Sequence, residues 1–277
     1  MTEIQADGMM PIESTVRQAA AAACRFQRET AMRARYKIAE KVIEVCSLYP
    51  LVQEYCAEYR TEEDADFAVT VTPEELVYEQ RIADREQELE GLEPMRFQPE
   101  ELEITAVCRL ICEKMVDFDT ILYHSSAVAV DGEAYLFTAI SGTGKSTHAR
   151  LWRELLGEKA VMVNDDKPLL RVRDGEVTVF GTPWNGKHRL SRDIAVPLKA
   201  LCLLERSETN HIERIQPMAF YPRLMQQAYR PVNPAGTARV LTLLDTLFAA
   251  VPVYRLGCNM ELDAAKLSYE TMKGAQT

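Results

Sequence analysis

The sequence has no cysteine pair at CxxC spacing, no basic tract, no internal repeat and no apolar stretch of the roughly 18 residues that a membrane span requires. Each absence closes a class. The seven cysteines, at 24, 46, 56, 108, 112, 202 and 258, are scattered and odd in number, so they read as reduced thiols rather than a disulfide framework. The opening MTEIQADGMM has neither the basic start nor the apolar segment of a targeting signal, and a cytoplasmic protein is expected. A net charge of −10 without a basic stripe disfavours nucleic acid and membrane surfaces as partners. No feature reads out an oligomeric state.

What is present is the makeup of a globular enzyme-sized chain. With 277 residues, 47% of them apolar and 27% charged, it can bury a sizeable core as a main domain with a smaller companion. Residues 1–34 turn alanine-rich and suggest a loosely attached helix. Residues 35–80 look folded: KIAEKVIEVCSLYPLVQEYCAEY carries apolar positions at both strand and helix spacing, and DADFAVTVTPEEL alternates like a strand before an acidic helix start. The charge-rich run from about 79 to 100 reads either as an exposed connection or as a solvated helix. This divides the chain into an α+β module over 1–100 and a larger domain over 101–277.

In the larger domain, Val107, Leu110, Ile111 and Met115 share a helical face. Two apolar runs separated by Asp131-Gly132 form a hairpin, and a second is expected at Asp174-Gly175. KSTHARLWRELLG reads as a helix ended by Gly157, and AVMVN as a short strand. LKALCLLE reads as a buried strand, PMAFYPRLMQQAY and GTARVLTLLDTLFAA as helices, VPVYRL as a strand and ELDAAKLSYETM as a closing helix.

Ala139 to Thr147, AISGTGKST, matches the phosphate-binding pattern G-x-x-x-x-G-K-[ST] at every position but the first, where alanine replaces glycine. Ser141, Gly142, Thr143, Gly144, Lys145, Ser146 and Thr147 are the nucleotide-binding candidates. Lys145 is expected at the β- and γ-phosphates and Ser146 on Mg²⁺, with the helix N-terminus holding phosphate oxygens. Asp165 and Asp166 follow an apolar strand about twenty residues on. One carboxylate there can hold Mg²⁺ and the other can accept a hydroxyl proton. The loop GTPWNGKHRLSRD adds Lys187, His188, Arg189 and Arg192, of which Lys187 and Arg189 are expected to face the γ-phosphate or the substrate. Trp184 either stacks on a ligand or anchors this loop, and Tyr229, Arg230 and Pro231 form another candidate lining.

On the strand YHSSAVAV with His124, the Asp-Gly hairpin, the ISGTGKST loop and the strand MVNDD, the chain resembles the HPr kinase/phosphorylase catalytic domain and its group of related small kinases. The resemblance spans roughly residues 105–265. It implies an α/β fold with a mixed sheet, of the P-loop type shared with phosphoenolpyruvate carboxykinase. It also implies an ATP- and Mg²⁺-dependent kinase acting on a hydroxyl of a protein or peptide serine or a small alcohol, with the N-terminal module recognising the acceptor. By resemblance His124 lies in the active site, Asp165 is the base, and Asp166 with Ser146 holds Mg²⁺, the two aspartates being free to exchange roles. No counterpart to the HPr kinase signature follows the aspartates, so phosphorolysis does not carry over. A nucleotide-binding regulatory protein without transfer chemistry is the alternative.

Overall fold

The computed structural model describes residues 32–274. The alanine-rich helix expected over 1–34 lies outside the described residues except at 32–34, which are strand. β1 (Met32–Ile38) and β2 (Lys41–Ser47) form a hairpin turned at Ala39 and Glu40, both at positive φ. After α1 (Leu51–Tyr55), β3 (Phe67–Thr70) adds parallel to β2 and completes a three-stranded sheet. The ambiguous spacing over 35–60 thus resolves into strands where Ala34, Tyr36, Ile38, Ile43 and Val45 turn to one apolar cluster.

The charge-rich run is mostly helix α2 (Pro73–Glu90), which lies on α3 (Pro99–Met115). Arg109 of α3 holds the pair together. Its guanidinium meets Glu75 and Glu79 of α2 and, at 3.3 Å, Glu113 of its own helix. The apolar face of α3, with Val107, Ile111 and Met115 buried and Leu110 at the margin, packs against the small sheet. The boundary expected at residue 100 falls in the first turn of this helix. The same cluster continues through Leu122, Leu169 and Phe180 of the larger sheet and Trp184 of the loop that follows Phe180.

That larger sheet contains nine strands: β4 (Thr120–Leu122), β5 (Ser126–Val130), β6 (Glu133–Thr138), β7 (Ala160–Asn164), β8 (Leu169–Arg173), β9 (Glu176–Phe180), β10 (Ala195–Arg206), β11 (His211–Arg214) and β12 (Val253–Cys258). Its order runs β4-β8-β9-β10-β6-β5-β7, with β12 also on β10 and β11 on β12. It is mixed, so the α/β expectation holds. Both Asp-Gly hairpins form, with Asp131, Gly132, Asp174 and Gly175 at positive φ as two-residue turns of this kind require. The strand expected at LKALCLLE is the long β10, antiparallel to β9 at its start and parallel to β6 and β12 beyond.

Alternate residues of the central strands feed two clusters. Ala127, Ala129, Leu201 and Leu203 meet α6 (Pro234–Ala250), while Val128, Val130, Cys202 and Leu204 meet α4 (Lys145–Leu156) and α7 (Leu262–Lys273). Burial of both faces makes these strands read as continuous apolar runs. The helix expected across PMAFYPRLMQQAY is shorter than its sequence suggests, a 3₁₀ turn at Pro217–Phe220 and α5 (Tyr221–Met225). Beyond α5 the backbone leaves the helical path: the Gln227 carbonyl accepts from His124 N–H at 2.7 Å and Ala228 bridges to Tyr123. Among the described residues the six cysteines are free thiols, and no helix is long and apolar enough to cross a membrane.

Arg109 and Glu79 yield a stability test. Burial pushes the Glu79 carboxyl up against the pull of Arg109. Arg109→Met strands that carboxylate, and the unfolding free energy is expected to fall by about 3–5 kcal/mol in urea titrations. Adding Glu79→Gln is expected to recover part of the loss.

Candidate functional site

β5 lies between β6 and β7 and is antiparallel to both. The start of β5 therefore stands beside the carboxyl ends of its two neighbours. Ser126 pairs with Phe137 on one side, and Ala127 with Asn164 on the other. This brings His124, Ser125 and Ser126 to the loop that leaves β6 and to the turn that leaves β7. Crevices at the carboxyl ends of strands are where open α/β sheets bind ligands.

The loop 139–147 connects β6 to α4. Ala139 is fully buried among Phe137, Ala149 and Trp152, and its backbone is outside the left-handed region. Alanine in place of the pattern's first glycine therefore fits this backbone. The unusual dihedrals fall on Gly142 and Gly144, at φ 74° and 124°. Lys145 is buried and its ammonium donates to the Ala139 carbonyl at 3.1 Å. Burial lowers its pKa, and the charges of Asp166 and Asp165 oppose that. Arg206, at the end of β10, donates to the Gly142 carbonyl. Two cations thus rest on carbonyls of the loop, while Ser146 and Thr147 occupy the first turn of α4.

The turn after β7 is held by Asn164, which is fully buried. Its side-chain oxygen accepts from the backbone N–H of Asp166 at 2.8 Å and of Lys167 at 2.7 Å, and its amide donates to Thr182 at 3.0 Å. This fixes the two aspartates in different surroundings. Asp165 accepts from Ser126 Oγ at 2.8 Å. Burial pushes its carboxyl up, against the hydrogen bonds of Ser126 and Ser146 and the charge of His188. Asp166 lies 3.1 Å from His124 Nε2 and 3.5 Å from Lys167 Nζ. Burial would raise its carboxyl too, but the His124 hydrogen bond and the charges of Lys167 and His124 outweigh burial and hold it below the ordinary range.

The basic loop is strapped to the same turn. Arg192 N–H donates to the Val163 carbonyl at 3.1 Å, Ser191 bridges to Asn164, and Asn185 donates to Ser191 Oγ at 2.8 Å. Gly186 passes so close to the aspartates that a Cβ there would sit 3.1 Å from Asp166 Cβ. Of the two roles open to Trp184, its position is that of an anchor: it is buried in the α3 cluster and donates to the Ile104 carbonyl at 3.0 Å. Arg189 lies over the Tyr55 ring of α1, 4.5 Å from its centroid. Lys187 and His188 are exposed. Tyr229 turns away from His124 into the α3 cluster, where its hydroxyl meets Glu113 at 3.0 Å, and Arg230 donates to the Met225 carbonyl.

Ser126, Asn164, Lys167 and Arg206 were not candidates from sequence. Their signal is weak but present: Ser126 opens an apolar strand, Asn164 and Arg206 close apolar strands, and Lys167 follows the aspartate pair. Among the described residues no three His, Cys, Asp or Glu side chains gather around one point. A cation here would need ligand oxygens to complete its shell. Two carboxylates and the Ser146 hydroxyl, all hard oxygen donors, fit Mg²⁺, which is commonly held by one or two carboxylates plus phosphates.

No protein-family model and no curated protein matches the sequence. Among solved structures, the chain is similar to the Hpr(Ser) kinase/phosphatase from Coxiella burnetii, with a TM-score of 0.29 and 10% identity over 55% of this chain and 99% of that one.

The adjacent aspartates are expected to respond oppositely to neutralisation. A carboxyl with a raised folded pKa costs stability at neutral pH, and the cost is relieved as pH falls through that pKa. A depressed one stabilises above its ordinary value near pH 4, and this is lost as pH falls through the folded pKa. Asp165→Asn is therefore expected to raise the melting temperature at pH 7 and Asp166→Asn to lower it. Each change should be roughly 2–4 °C, the scale of a 1 kcal/mol effect in a chain of this size. Scanning calorimetry of the two variants measures both signs.

Proposed function

We propose that the chain is an ATP- and Mg²⁺-dependent kinase that phosphorylates a hydroxyl, on a protein or peptide serine or a small alcohol, and that its larger sheet is a P-loop kinase domain of the HPr kinase and phosphoenolpyruvate-carboxykinase type. The observation that carries this reading is the meeting of Lys145, Ser146, Asp165, Asp166 and His124 at one end of the sheet. A chance GTGKST turn has no need of a fixed carboxylate pair beside it.

In this reading the backbone N–H groups of 141–147 and the N-terminus of α4 hold the β- and γ-phosphates. Lys145 exchanges the Ala139 carbonyl for phosphate oxygens. Ser146 and Asp165 would hold Mg²⁺, since the Ser146 hydroxyl neighbours Asp165, and such an ion would supply charge neutralisation at the phosphates. Asp166, ionised and oriented by His124, accepts the proton of the acceptor hydroxyl. This exchanges the aspartate roles that the resemblance implies. The acceptor oxygen forms a bond to the γ-phosphorus while the bond from that phosphorus to the β–γ bridging oxygen breaks. ADP leaves, and the proton stays on Asp166 or passes to His124. The low basicity of Asp166 is tolerable because a loose phosphoryl-transfer transition state depends more on positioning than on base strength. Lys187 and Arg189 lie on the loop that faces the phosphate or the acceptor, and the small sheet with α1 contributes to acceptor recognition.

Incubation with labelled ATP, Mg²⁺ and hydroxyl acceptors tests the reading. Lys145→Ala and Asp166→Asn are each expected to lower kcat/KM by about 10²–10⁴, the range for loss of a positioned proton acceptor or charge. Acceptor-dependent turnover that survives both substitutions would remove the assignment. Nucleotide-dependent thermal stabilisation without turnover on any acceptor would favour a regulatory nucleotide-binding protein instead.

A further inference from the structure

We infer that the acceptor is itself an anion, a molecule with carboxylates beside its hydroxyl, and that Lys167, Lys187 and Arg189 receive it. This rests on the kinase reading above and specifies its substrate class. The division of the aspartate pair gives the direction of approach. Asp165 is taken up by Ser126 Oγ at 2.8 Å, whereas Asp166 lies 3.1 Å from His124 Nε2 and 3.5 Å from Lys167 Nζ. The acceptor hydroxyl therefore enters on the side of Lys167.

Lys167 is a built feature of that side. Its N–H donates to Asn164 at 2.7 Å, and its carbonyl accepts from Thr182 Oγ1 at 2.8 Å. The side chain leaves from a backbone fixed at both ends. It is half-buried, 3.5 Å from one Asp166 oxygen, and its charge is felt by Tyr55. Tyr55 also carries Arg189 on its ring. Arg189 has φ 50°, a left-handed conformation unfavourable to a residue with a side chain.

Charge supplies the ligand class. Lys187, His188 and Arg189 are consecutive and exposed. Among the described residues no carboxylate lies within 4.0 Å of Lys187 or Arg189. On the adjoining small sheet, by contrast, Arg35, Lys37 and Lys41 each meet an acidic side chain. The chain as a whole carries −10, whereas the loop 181–193 carries Lys187, Arg189 and Arg192 against Asp193 alone. An anionic acceptor approaching Asp165 and Asp166 would be repelled, and cations at the entrance offset that repulsion. With a neutral alcohol these cations would serve the γ-phosphate alone. Carboxylates beside a hydroxyl occur both in an acidic peptide around a serine and in a small hydroxy acid.

The test uses the full chain with capped peptides Glu-Glu-Ser-Glu-Glu and Gln-Gln-Ser-Gln-Gln, and with glycerate and glycerol. Binding is read by calorimetry and, separately, phosphorylation by ATP with Mg²⁺. At low salt the carboxylated member of at least one pair is expected to bind about tenfold tighter than its neutral partner, with the difference shrinking as added salt screens the charges. Preference within the peptide pair identifies a peptide source, and preference within the glycerate pair a small hydroxy acid. Lys187→Glu is expected to abolish the preference and Lys187→Arg to keep it. Equal binding within both pairs, absence of salt-sensitive binding by either anion, or a preference that survives Lys187→Glu overturns the inference. Failure of ATP to bind or to be turned over, with anion binding intact, instead overturns the kinase reading.

Discussion

The antiparallel placement of β5 between β6 and β7 is the constraint on which the candidate site depends. One strand running against both neighbours puts its own beginning beside their two ends. A phosphate-type loop, a carboxylate pair, a histidine and a buried serine then converge without any long loop reaching across the molecule. The hydrogen bond from Ser126 to Asp165 fastens that junction at the side-chain level, and Asn164 fixes the turn from beneath. Both anchors are buried, where a satisfied polar group holds a single geometry and an unsatisfied one is costly.

Two adjacent carboxylates would ordinarily behave alike. Here the fold separates them, because consecutive side chains leave the backbone in different directions and meet different neighbours. Asp165 faces hydroxyls and loses solvent, so its charge is costly. Asp166 faces a histidine and a lysine, so its charge is favoured. Divergence of this kind between neighbouring titratable groups is the condition under which one can serve a cation and the other a proton. Lys145, at the end of the loop 139–147, and Arg206, at the end of β10, rest on carbonyls of that loop. These bonds keep the cations close to where an anion would take them over.

Much of the secondary structure was legible because its causes are local. Asp-Gly between apolar runs forces a hairpin, a glycine after an amphipathic run ends a helix, and alternation marks β3, whereas β1 and β2 lie in a run with strand and helix spacing alike. PMAFYPRLMQQAY misled for a non-local reason: its end is drawn toward Tyr123 and His124, a pairing that no periodicity can announce. The charged run after residue 79 was ambiguous because α2 owes its position to Arg109 of another helix. Trp184 was equally undecidable, since its partner is the Ile104 carbonyl eighty residues earlier in the chain.

By itself the sequence determined the loop 139–147, the aspartate pair and the strands that carry them, because contiguous residues define each of these. Tertiary structure alone decided which aspartate meets Ser146 and which meets His124, that Arg189 turns to Tyr55, and that Lys167 stands beside Asp166. Those facts belong to pairs of residues distant in the chain or to the direction a side chain leaves a turn. Burial and field strength depend on that geometry, and linear order does not contain it.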